Sequence, residues 1–84
     1  MWIGGIYMID ENAIYELPTS RKDQPETIET LQRCRIEVMS TGKKSRAFFY
    51  MLVPLDTNYR EKGFYAEYFE YLIHHGYARK ISND

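Results

Sequence analysis

Two consecutive stretches decide the fold: Arg33-Cys34-Arg35-Ile36-Glu37-Val38-Met39-Ser40 and, after the turn Thr41-Gly42-Lys43-Lys44, Arg46-Ala47-Phe48-Phe49-Tyr50-Met51-Leu52-Val53-Pro54. In the first, Cys34, Ile36 and Val38 fall on one side of an extended chain and Arg33, Arg35 and Glu37 on the other. In the second both sides are apolar, with Ala47, Phe49, Met51 and Val53 opposite Phe48, Tyr50 and Leu52. The pattern predicts a β-hairpin whose second strand is covered on both faces.

Working outward, residues 59–75 carry apolar side chains at helical spacing. Tyr65, Tyr68, Phe69, Leu72 and Ile73 form a stripe, with Glu61, Lys62, Glu67, Glu70 and His74 elsewhere, and Gly76 is placed to end the helix as its C′ residue. Residues 77–81 would add a short edge strand or a packed tail. Upstream, residues 18–32 are polar, contain two prolines and read as a long loop, with one helical turn at residues 26–31. Before them, Asp10 stands where an N-cap belongs. Ala13, Ile14 and Leu17 share one side of a short helix that Pro18 would stop. Residues 2–9 are apolar throughout and read as a buried strand, with Gly4 and Gly5 marking a bulge. The expected order is β-α-loop-β-β-α, an α+β fold: a small, mostly antiparallel sheet with a C-terminal amphipathic helix packed on it.

The 84 residues make a single domain, 1–84, with net charge −1 and 27% charged residues. The balanced charge argues against a phosphate groove, and so against nucleic acid as a partner, although Arg46-Ala47-Phe48-Phe49-Tyr50 interleaves a base with aromatics. No apolar run approaches the roughly 18 residues of a membrane span, and the N-terminus lacks a signal-peptide pattern, so the expected location is cytoplasmic. The single cysteine fits that location. A domain of this size buries only ~60% of its unfolded surface, so it needs its aromatics in the core or a partner.

Motifs with chemical potential are few. His74-His75 diverge by roughly 100° on a helix and cannot share one metal ion, so no metal and no cofactor is expected. Cys34 lies on the apolar side of its strand and reads as a small hydrophobe. Glu37, with Arg35 two residues away, most simply makes a solvated cross-strand ion pair. Glu26, in the long loop, is the one weak candidate for a catalytic carboxylate.

Taken in order, several segments resemble the gamma-glutamylcyclotransferase-like family. Residues 5–17, Gly5-Ile6-Tyr7-Met8-Ile9-Asp10-Glu11-Asn12-Ala13-Ile14-Tyr15-Glu16-Leu17, are similar to its strand that runs into a short helix ending in Leu. Gln32-Arg33-Cys34-Arg35-Ile36-Glu37-Val38, Gly42 and Ala47-Phe48-Phe49-Tyr50-Met51 resemble its next hairpin, and residues 65–76 the helix that follows. The resemblance implies an acid/base glutamate about four residues after the helix-ending Leu, where this chain has Arg21, a guanidinium that keeps its proton. It also implies an amide-lined substrate loop ahead of the point where this sequence starts. The expectation is therefore a truncated, non-catalytic relative, the alternative being an enzyme that releases 5-oxoproline from gamma-glutamyl amides.

Eight tyrosines suit a binding surface, because tyrosine gives large contact area with few rotors to freeze. Tyr7, Tyr15, Tyr59, Tyr65, Tyr71 and Tyr77 cannot all be core and are the candidate interaction residues. A protein-binding domain of this kind, such as a phage-type inhibitor or effector, is the leading expectation. The apolar strand 2–9 carries no charge or proline to protect its edge, so a homodimer or another protein partner is expected to seal it.

Overall fold

The computed structural model describes residues 9–40 and 48–82. They form five strands and one helix: β1 (Ile14–Ser20), β2 (Glu29–Ser40), β3 (Phe48–Pro54), β4 (Lys62–Tyr65), α1 (Ala66–His74) and β5 (Arg79–Ser82). All pairings are antiparallel and the strand order is β4-β3-β2-β1-β5.

The β2–β3 hairpin is as the alternation predicts, with Cys34 opposite Pro54, Ile36 opposite Leu52 and Val38 opposite Tyr50. Cys34, Ile36, Tyr50 and Leu52 are buried on the face that α1 covers. The opposite face is less enclosed than expected: Phe49, Met51 and Val53 are only half-buried, and Met39 is exposed. The connecting turn lies outside the described residues.

Three expected elements are corrected. Residues 14–20 are a strand, not the end of a helix. Tyr15, Leu17 and Thr19 point inward and Ile14, Glu16 and Pro18 outward, a period of two that the Ala13/Ile14/Leu17 spacing concealed. Pro18 breaks no pairing there. β2 lies on one side of it, and on the outer side β5 pairs only with Ile14, Tyr15 and Glu16, so an absent N–H is harmless at that edge. The long loop shrinks to residues 21–28, because β2 begins at Glu29, and residues 29–31 are extended rather than helical. The helix predicted over 59–75 splits: residues 62–65 form β4, pairing Phe64 with Tyr50 and Gly63 with Met51, and α1 starts only at Ala66. The observed order is thus β-β-β-β-α-β. The predicted strand 2–9, and the edge argument for a homodimer built on it, fall almost wholly outside the described residues.

Two features place the surface of interest. First, the lead-in to β4 reaches back to the end of β1. Arg21 bridges to Tyr59, Lys22 N–H donates to the Asn58 carbonyl (2.8 Å), Arg60 N–H donates to the Ser20 carbonyl (2.8 Å), and the buried Thr19 hydroxyl donates to the Arg60 carbonyl (2.7 Å). β1 and β4 are not neighbours in the sheet, so these bonds require the sheet to curl. Second, α1 ends in a Schellman turn. Gly76 adopts φ +82°, its N–H bonds to the Ile73 carbonyl (3.1 Å), and Tyr77 N–H bonds to the Leu72 carbonyl (2.8 Å). That turn characteristically sets the residue after the glycine against the helix's last apolar turn, here Tyr77 near Leu72.

Candidate functional site

Where the curled sheet brings β4 towards β1, a groove of about 380 Å³ opens beside α1. Leu17 and Pro18 of β1 form one wall, and Lys62 and Phe64, alternate residues of β4, form the other. Tyr68, Tyr71 and Leu72 of α1 and Tyr77 beyond the Schellman turn complete it. A pocket of this size, mostly apolar with few polar groups, falls within the range of ligand-binding clefts.

The aromatic side chains along it form a continuous strip. Phe64 tilts against Tyr68 (ring centroids 5.8 Å apart), Tyr68 stacks on Tyr71 (5.8 Å, 9° between planes), and Tyr71 packs on His75 (4.2 Å). His75 in turn lies 6.5 Å from Tyr77. Tyr68, Tyr71 and Tyr77 remain 53%, 49% and 61% exposed. One charged side chain lines the groove, Lys62, and its ammonium is held by the Glu29 carboxylate.

Of the tyrosines singled out from sequence, Tyr71 and Tyr77 meet in this groove. Tyr65 is exposed on the other face of β4, edge-on to Phe49 (5.3 Å). Tyr59 is half-buried beneath the Arg21 guanidinium (5.5 Å to the ring centre). Tyr15 is a correction: it is 1% exposed and packed edge-on against Phe69 (5.2 Å), and its hydroxyl accepts the Asp10 N–H (3.0 Å), so it belongs to the core. Tyr7 lies outside the described residues. Sequence reasoning missed Tyr68, which it assigned to the apolar stripe of a longer helix. With α1 starting at Ala66, Tyr68 lies about 100° from the buried Phe69 and on the side of Tyr71 and His75. The helix start was the missing signal.

Glu26 sits in a separate polar depression of about 340 Å³ with Ser20, Glu29, Arg60, Glu61 and Lys62. Its carboxylate is open to solvent and 4.0 Å from Arg60 Nε. The Arg60 guanidinium is already engaged, donating to Ser20 Oγ (2.6 Å) and to the Lys22 carbonyl (3.3 Å). Arg21, at the position where the family resemblance implies an acid, is ion-paired with Asp23 (3.0 Å). The strand at Ile14–Ser20 also replaces the short helix that the resemblance expects before it.

Cys34 is buried, and burial pushes its thiol up to about 12, which suppresses the thiolate needed for nucleophilic attack. Arg35 and Glu37 pair along β2 at 2.7 Å, both half-exposed. Among the described residues no group of three or more His, Cys, Asp or Glu side chains could hold a metal ion, and no helix is long and apolar enough to cross a membrane. Compared with protein-family models, with curated proteins and with solved structures, the chain matches none of them.

Proposed function

We propose that the protein is a small binding domain that acts through protein–protein interaction, with the aromatic groove between β4, β1 and α1 as its docking surface. The observation that carries this reading is the aromatic strip that runs from the half-buried Phe64 through the exposed Tyr68, Tyr71, His75 and Tyr77. A small domain short of core material gains by burying its tyrosines, yet three stand about half exposed beside a groove, Tyr68 stacked on Tyr71 and Tyr77 beyond His75. Rigid, amphipathic side chains clustered around a concavity are the composition of interface centres, where Tyr and Trp provide most of the contact energy.

On this reading the gamma-glutamylcyclotransferase-like pattern is degenerate. Cyclising a gamma-glutamyl amide needs a positioned acid/base next to donors for the developing oxyanion, in a site that excludes water. Arg21 is spent on Asp23, and Glu26 hangs over an open depression beside a guanidinium. The alternative, an enzyme that releases 5-oxoproline, is supported by neither residue.

Capture from lysate by the immobilised chain tests the binding reading, run in parallel with a Tyr68→Ala/Tyr71→Ala variant. One dominant protein, retained by the parent and lost with the variant, is the expected result. Equal capture by both chains, or none by either, overturns it. Incubation with gamma-glutamyl dipeptides should release no 5-oxoproline. Turnover abolished by Glu26→Gln would establish the enzyme instead.

A further inference from the structure

The two strands that end the sheet differ in how they meet solvent. β5 presents Arg79 and Lys80, each held by an acid at its back: Arg79 Nη2 is 3.1 Å from Glu16 and Lys80 Nζ is 3.4 Å from Asp10. Charged side chains on a short edge are a common device against unwanted strand pairing. β4, Lys-Gly-Phe-Tyr, carries one cation where β5 carries two. Its single cation, Lys62, is folded onto Glu29, Gly63 adds no side chain, and Phe64 and Tyr65 are aromatic. Only β3 pairs with β4, so among the described residues its outer edge has no strand partner. Lys62 and Phe64 face the groove, and Glu61 and Glu67 stand at the two ends of this edge. Both glutamates are exposed and neither forms an ion pair among the described residues. The Glu67 charge is felt by its neighbour: it adds to burial in raising the Glu70 carboxyl above its ordinary range.

We propose that β4 and the groove behind it bind an extended segment of a partner protein by strand addition, the segment alternating apolar residues with Lys or Arg. This deepens the binding reading above and rests on it. The added backbone would satisfy the open edge of β4. Every second side chain would enter the groove alongside Phe64 and Tyr68, towards Leu17 and Pro18, and the basic residues would meet Glu61 and Glu67. The charge selects the partner's sign: Lys62 is already neutralised by Glu29, and Glu61 and Glu67, flanking the edge, form no ion pair among the described residues. The edge selects the backbone, because a polyproline segment has no N–H to offer the carbonyls of β4.

Three synthetic peptides of about ten residues test this against the 15N-labelled full chain: alternating valine–lysine, alternating valine–glutamate, and polyproline with terminal lysines. The valine–lysine peptide should slow amide exchange at residues 62–65 and shift the ring signals of Tyr68 and Tyr71. The valine–glutamate peptide should bind about tenfold more weakly, as expected for the loss of two exposed ion pairs. Glu61→Lys with Glu67→Lys, both at exposed positions, should reverse that order while leaving the spectrum dispersed. Equal binding of both charge patterns, or an order unchanged in the double variant, overturns the proposal. Ring shifts with the polyproline peptide and no protection at residues 62–65 would overturn strand addition and leave the groove standing as a docking surface. A response to none of the three overturns strand addition, and the capture experiment judges the binding reading separately.

Discussion

Two aromatic clusters share this small domain, and they differ in everything except composition. Under α1, Tyr15, Tyr50 and Phe69 pack edge-on and tilted, at 5.2 Å and 6.1 Å, against the buried Leu17, Cys34, Ile36 and Leu52. Beside α1, Tyr68, Tyr71 and His75 stack in the open. Phe64 belongs to both: its ring is parallel to that of Phe69 (5.9 Å, 7°) and tilted against that of Tyr68 (5.8 Å, 43°). Neighbouring helix residues, Tyr68 and Phe69, are therefore divided between a surface and a core. The contrast teaches that a tyrosine's role here is fixed by which way its element turns it, so counting tyrosines in the sequence could not separate the two clusters.

Substitutions can break or sharpen that contrast. The largest effect is expected inside: Phe69 is fully buried, and Phe69→Ala should cost about 3–5 kcal/mol, which is most of the stability of a domain this size. A urea melt would check it, and a midpoint shift equivalent to less than about 1 kcal/mol would mean that the inner cluster is not the core. Next comes the seam between β3 and β4. A Cβ added to Gly63 would run into the Phe49 ring and the Met51 sulfur, so Gly63→Ala should cost about 1–2 kcal/mol in the same melt as those half-buried side chains move aside.

Outside, the Tyr68→Ala/Tyr71→Ala variant should lose less than about 1 kcal/mol, since exposed side chains give up little on truncation. A loss comparable to that of Phe69→Ala would merge the two clusters into one core and remove the case for a docking surface.

The smallest effect is electrostatic. Burial, then the neighbouring Glu67, raises the Glu70 carboxyl, so the folded chain holds that proton more tightly than the unfolded one. A raised acid contributes stability at low pH, and the contribution disappears as pH rises through the folded-state value. Glu70→Gln should therefore stabilise the protein slightly at neutral pH and have no effect well below the carboxylate range. Melting curves at acidic and neutral pH would show it, and an equal shift at both would exclude this cause.

Much of the inner cluster was legible in the sequence. The strict alternation through Cys34, Ile36 and Val38 admits no helix, and the apolar run from Phe48 to Val53 can only be an inner strand beside it. Gly76 announced the helix end, because a left-handed residue is needed there. The rest was hidden for physical reasons. Ala13, Ile14 and Leu17 satisfy a helical spacing, while Tyr15, Leu17 and Thr19 satisfy a strand's, and only pairing with β2 and β5 decides between them. Pro18 reads equally well as a helix stop and as an edge-strand residue. β4 is four residues long and joins α1 without a loop, so its period was absorbed into that of the helix. That single boundary displaced Tyr68 from the surface to the core. The groove was illegible for a further reason: its walls come from β1 and β4, which meet only because the sheet curls.

Photo-crosslinking tests the central claim, that the aromatic strip is a docking surface and not spare core, most directly. The photoreactive amino acid p-benzoylphenylalanine would be placed at Tyr71 in one chain and at Met39, exposed on the opposite face of the sheet, in another. Irradiation in lysate should join one partner protein to the chain labelled at Tyr71 and not to the chain labelled at Met39. A partner joined only through Met39 would place the docking surface on the other side of the sheet and contradict the account.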